Sequence, residues 1–75
     1  MVDLVRFIAQ SLVENPDQVD VREIQSADNT VVELRVAEGD MGKVIGKQGR
    51  IAKAIRTVVK AATPKDEKPV FVEII

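Results

Sequence analysis

Between Ile45 and Ile51 the chain reads Gly46-Lys47-Gln48-Gly49-Arg50, two glycines enclosing a basic and an amide side chain with a guanidinium directly after. Residues of these types at this spacing can grip phosphate. A glycine lets a sugar-phosphate strand come close to the main chain because no β-carbon holds it off, and Lys47 and Arg50 supply whole positive charges. A helix starting near Arg50 adds the positive end of its dipole. Lys43 and Lys53 extend the basic character to either side.

Other glycine motifs fail on spacing. A phosphate-binding P-loop needs four residues between its first glycine and Gly-Lys, then Ser or Thr; only three residues separate Gly42 from Gly46, and Gln48 follows Lys47. A dinucleotide fingerprint starting at Gly42 would need glycine where Val44 stands. Gly42 and Gly46 have the spacing of a membrane-helix contact motif, but Lys43 and Lys47 exclude an apolar span.

Enzymatic chemistry has little to work with. The chain has no His, Cys, Tyr or Trp, its carboxylates show no spacing for a shared pocket, and Ser11 and Ser26 have no candidate base. Neither a metal site nor a cofactor site is expected. The absence of cysteine fits a reducing compartment, so a cytoplasmic location is expected. "MVDLVRFIAQSL" interrupts its apolar run with Asp3 and Arg6, so it reads as a helix and not as a membrane span or signal peptide.

The net charge of −1 conceals a division along the chain. Met41 to Thr63 holds six basic residues and no acidic one, while the remainder holds five basic and twelve acidic residues, a balance of +6 against −7. A basic stripe on an acidic body suits an anionic partner held in one place and repelled elsewhere.

Short elements must position this stripe. A first helix is expected from Asp3 to Glu14, with Leu4, Ile8 and Leu12 on its covered face and Asn15-Pro16 ending it. A hairpin follows: Val32, Leu34 and Val36 alternate with Glu33 and Arg35, and Asp28-Asn29 offers residues that tolerate positive φ at the turn. Val19 and Val21 fall out of phase with Ile24, which suggests a bulge or an edge position in the first arm. Asp40 is placed to N-cap a short helix, Met41 to Ile45, and a longer helix runs from Arg50 to Ala62.

On that longer helix Ile51, Ala54, Ile55, Val58 and Ala62 share one face, opposite Arg50, Lys53, Arg56, Thr57 and Lys60. Ala52 and Val59, at the margin of the apolar arc, form a candidate dimer surface. Pro64 ends the helix, and "PVFVEII" alternates as a last strand. Phe7 and Phe71, the only aromatics, are expected in the core. The fold class is α+β, in the order helix-strand-strand-helix-helix-strand. Three helices are expected on one face of a three-stranded mixed sheet, with the third strand parallel to the second. Residues 1–75 are expected to form one domain.

The Gly-Lys-Gln-Gly corner between two helices resembles the Gly-x-x-Gly loop of type II KH domains. Over its whole length, chiefly through "DMGKVIGKQGRIAKAIRTVVKAA" and the closing "VEII", the sequence resembles the KhpA (YlqC-like) family of small single-KH proteins. That resemblance implies a cytoplasmic RNA-binding protein acting on single-stranded RNA as a post-transcriptional regulator or RNA chaperone. It also implies a homodimer, or a pair with a larger KH-containing protein of the Jag type, with a role in bacterial cell elongation and division. A module that binds chiefly another KH protein is the alternative. By position, Gly46, Lys47, Gln48 and Gly49 would clamp about four nucleotides, Val44 and Ile45 would face the bases, and Lys43, Arg50 and Lys53 would meet the backbone. The chain departs from the wider KH pattern in placing Ala52 where a bulky aliphatic residue is common.

Overall fold

The computed structural model describes all residues from Met1 to Ile75. Helix α1 spans Val2–Leu12, β1 Asp20–Gln25, β2 Thr30–Arg35, α2 Met41–Ile45, α3 Arg50–Ala62 and β3 Val70–Ile74. Short 3-10 turns at Pro16–Gln18, Glu38–Asp40 and Lys47–Gly49 punctuate them. The three strands form one sheet in the order β1-β2-β3, with β1 antiparallel and β3 parallel to β2. The expected architecture and strand directions are therefore present. No helix is long and apolar enough to cross a membrane.

Strand alternation decides which side chains meet the helices. Val21, Val32, Leu34 and Val72 lie on one face and are buried, together with Val5 and Ala9 of α1, Val44 of α2, and Ile55 and Val59 of α3. Burial of Leu34 or Val32 contributes about 1.5–3 kcal/mol each. The opposite face is open. There Ile24 pairs with Val31 and Val31 with Phe71, and a charged row of Arg22, Glu33 and Glu73 comes next.

This alternation corrects several expectations. Pairing from Asp20↔Arg35 to Gln25↔Thr30 runs one residue to one, so β1 is an edge strand without a bulge. Val21 and Ile24 differ in phase because they serve opposite faces. The hairpin turn has no positive φ at Asp28 or Asn29; Ser26 closes it, its N–H donating to the Asn29 carbonyl (2.9 Å) and its hydroxyl accepting from the Asn29 N–H (3.2 Å). Both phenylalanines are outside the core, Phe7 69% and Phe71 54% exposed.

The helices bury a face adjacent to the expected one. In α1 the buried positions are Val5 and Ala9, while Leu4 and Ile8 are half-buried and Leu12 is exposed. In α3 they are Ala52, Ile55 and Val59, leaving Ala54, Val58 and Ala62 exposed. Ala52 and Val59 thus belong to the interior and offer no dimer surface.

Candidate nucleic-acid interface

Helix α2 ends after barely more than one turn, because Gly46 leaves the helical region with φ 76° and ψ 173°. Its N–H still donates to the Gly42 carbonyl at 2.8 Å. Gln48 (φ 58°, ψ 25°) and Gly49 (φ 73°, ψ 14°) are both left-handed, and two such residues in succession turn the chain into α3. The Gly49 N–H closes the corner on the Gly46 carbonyl at 3.1 Å.

The two glycines are needed for different reasons. A β-carbon on Gly46 would stand 2.6, 2.9 and 3.0 Å from Cγ1, Cβ and Cδ1 of Ile51. That position is closed by internal packing, not kept clear for a ligand. At Gly49 nothing lies within 4 Å of where a β-carbon would be. Of the two corner glycines only Gly49 has open space at that point, so the missing β-carbon leaves room for a close strand there and not at Gly46.

Around this opening the charges are free. Lys47, Gln48, Arg50 and Lys53 are exposed, and none of the three cations forms an ion pair. Arg50 Nη2 donates to Gln48 Oε1 at 3.1 Å, which leaves the Gln48 amide NH₂ as an outward donor. Two expected residues stand apart. Val44 is fully buried and cannot meet a base, although its neighbour Ile45 is 37% exposed. The Lys43 ammonium lies 3.4 Å from a Glu14 carboxylate oxygen and 3.9 Å from one of Asp40, so its charge is already answered.

The surface continues along the basic face of α3, where the sequence already set Arg56, Thr57 and Lys60. An open cleft of about 1010 Å³ lies between α3 and the outer edge of β3, lined among others by Arg56, Thr57, Lys60, Lys65 and Phe71. Arg56 Nε donates to the Val72 carbonyl at 3.2 Å and holds helix and strand together there. Lys60 makes no ion pair. The signal for Phe71 was present in "PVFVEII": alternation sets it opposite Val70 and Val72, on the face away from the core.

Asp40 anchors the corner from behind. It occupies the position before α2 but makes no cap to it. Instead its carboxylate, 1% exposed, accepts from the Glu14 N–H (3.2 Å), the Asn15 N–H (3.0 Å) and Asn15 Nδ2 (3.0 Å). These bonds also explain why α1 stops at Leu12, two residues before the expected end: the amides of Glu14 and Asn15 turn to Asp40, and Pro16 disfavours helical geometry at Asn15.

Burial by itself raises the Asp40 pKa, but the Asn15 side chain, the two backbone N–H groups and the Lys43 ammonium together outweigh it and hold the value below the usual carboxylate range. A lowered folded pKa means stability that is complete above the unfolded value and lost as pH falls through the folded one. Thermal unfolding should therefore be steady from neutral pH to about pH 5 and decline below about pH 4. Asp40→Asn should flatten that decline, and Asp40→Ala should lower the midpoint at neutral pH by roughly 5–10 °C. Circular dichroism melts across pH check both; an unchanged acid limb in Asp40→Asn would remove the carboxylate from this role.

Two helices joined by a Gly-x-x-Gly corner on a sheet with a parallel last strand define a KH domain of the second topological type. Residues 2–74 match the family described as KhpA/KhpB, KH domain, and the chain belongs to that family. It is 61% identical over 75 residues to the RNA-binding protein KhpA of Caldanaerobacter subterraneus subsp. tengcongensis, with both chains covered in full. The RNA-binding protein KhpA of Clostridium perfringens is 60% identical, again over the whole of both chains. That of Borreliella burgdorferi is 43% identical over 74 residues, 99% of this chain and 90% of its own.

Proposed function

We propose that this chain is a cytoplasmic RNA-binding protein, not an enzyme, that holds short single-stranded RNA segments at the Gly46–Gly49 corner. The observation that carries this reading is the open space at Gly49 beside three unpaired cations, Lys47, Arg50 and Lys53. Phosphates approach the bare main chain there, while the Gln48 amide and the cations answer their charge. Ile45 meets the first bases. The strand then follows the basic flank of α3 toward Arg56 and Lys60, about 9 and 15 Å beyond Arg50 along the helix axis. The relatives' designation as RNA-binding proteins supports this reading.

One such module makes few contacts, so the protein acts as a homodimer or beside a larger KH-containing partner, as a post-transcriptional regulator or RNA chaperone. Ala54, Val58 and Ala62 are exposed and apolar at helical spacing on α3 and are the surface for that pairing. A protein contact of this kind is compatible with an RNA strand on the cationic side of the same helix.

Titration of a fluorescent single-stranded RNA at several salt concentrations tests the proposal. Three to five phosphate contacts give a slope of log K against log salt of about −2 to −3.5. Single-stranded RNA should also bind more tightly than a duplex of the same sequence. A flat salt dependence, or no binding at low salt, would remove the corner as a phosphate clamp.

A further inference from the structure

Gln25 of β1, Thr30 of β2 and Val70 of β3 stand side by side across one end of the sheet, paired Gln25↔Thr30 and Thr30↔Val70. They line a second open cleft of about 580 Å³, bounded by Met1, by Thr63 just past α3 and by the loop that leads to β3. The corner lies at the other end of α3.

A buried hydroxyl opens on this cleft. Those of Ser11, Ser26, Thr57 and Thr63 all donate to carbonyls, whereas that of Thr30 makes no such bond although the residue is only 5% exposed. No fully enclosed side-chain oxygen lacks a partner, so the Thr30 oxygen faces the cleft that the residue lines. Carboxylates flank it on two sides. Glu23, on the same face of β1 as Gln25, and Asp66 and Glu67, in the loop beside β3, all line the cleft and form no ion pair. The Lys68 ammonium is engaged, donating to the Ser26 carbonyl at 2.7 Å. Three carboxylates against Lys68 and the α-amino group of Met1 leave the lining negative, and the C-terminal end of the α3 dipole has the same sign.

Such a lining suits a cation whose charge is spread out. No three carboxylates come together closely enough to hold a metal ion. They stand toward β1 and toward β3, strands about 10 Å apart across β2. Eleven residues line the cleft, against about 20–30 on each side of a stable protein interface, and its volume is that of a small-molecule site. We propose that it binds a linear aliphatic polyamine, one ammonium donating to the Thr30 hydroxyl and the Glu23 carboxylate and another to Asp66 or Glu67. This site is independent of RNA binding at the corner.

The test titrates the ¹⁵N-labelled full chain, without RNA, with spermidine and follows the backbone amides. Saturable shifts centred on Glu23, Thr30 and Glu67 are expected, with affinity at least about tenfold above that of butylamine, whose single ammonium reaches one flank only. Thr30→Val, which keeps the shape and removes the acceptor, should weaken spermidine about tenfold. Glu23→Gln and Glu67→Gln should each weaken it about three- to fivefold, since both carboxylates are exposed, and Glu33→Gln on the opposite sheet face should leave it within about 1.5-fold. Equal shifts with magnesium at matched charge, equal affinity for butylamine, or equal losses in Glu33→Gln would overturn the proposal, because each means a diffuse counterion effect. Tighter binding of a short lysine peptide with the same dependence on Glu23 would overturn it in favour of a protein ligand.

Discussion

Gly46→Ala should destabilise the protein by about 4 kcal/mol, close to half of what a domain of this size has to lose. Two effects combine. With φ 76° and ψ 173°, the backbone sits in a region almost reserved for glycine, where another residue costs about 1–3 kcal/mol. The added methyl would also press on Ile51, whose Cβ at 2.9 Å belongs to the helix and cannot swing aside. Overpacking of this kind costs about 1–3 kcal/mol more. Gly49→Ala provides the contrast, with a left-handed backbone but empty space around it, so about 1 kcal/mol is expected. Urea unfolding measures both. Pairing Gly46→Ala with Ile51→Ala should relieve the contacts with Cγ1 and Cδ1 and leave the contact with Cβ and the backbone part. Equal losses at Gly46 and Gly49 would mean that Ile51 plays no part.

Lys47→Asp with Gln48→Asp should lower affinity for single-stranded RNA at least about 100-fold while leaving the fold intact. Two charge-assisted hydrogen bonds at about 1.5–3 kcal/mol each are lost, and two negative charges then face phosphate. Both side chains are exposed, and surface changes of this kind usually stay within about 0.5 kcal/mol of stability. Gln48 has φ 58°, a region aspartate tolerates better than most residues, so the corner keeps its shape. The proposed pairing surface of Ala54, Val58 and Ala62 is untouched, so sedimentation should report the same oligomer. Affinity retained within a few-fold in the double variant would place the binding surface elsewhere on the protein.

Local chemistry was well signalled in the sequence. Alternation placed β2 and β3, Pro64 and the glycines bounded α3, and the uninterrupted run of positive charge marked the cationic side. Long-range geometry was not. The apolar arc of α3 is broad enough that its covered centre could be set at Ile51 and Val58 as readily as at Ala52 and Val59; contact with α1, α2 and the sheet decides for the latter pair. Asp40 before Met41 has the pattern of a helix cap, and its true partners lie 25 and 26 residues upstream, beyond any local rule. Val44 and Ile45 are neighbours in sequence with opposite fates, because a helix of five residues presents one position inward and the next outward. Gly46 was singled out as a place of close approach, but what requires glycine there, the flank of Ile51, depends on how α3 folds back.

The Asp40 clasp also bears on the order in which the molecule assembles. Its two ends enclose the entire β1–β2 hairpin, and joining ends so far apart loses chain entropy that a tight turn does not. A zipped hairpin shortens that loop and spares much of the loss. A strand held at the corner binds the folded form alone, so it should also protect the amides of Glu14 and Asn15, residues it never touches.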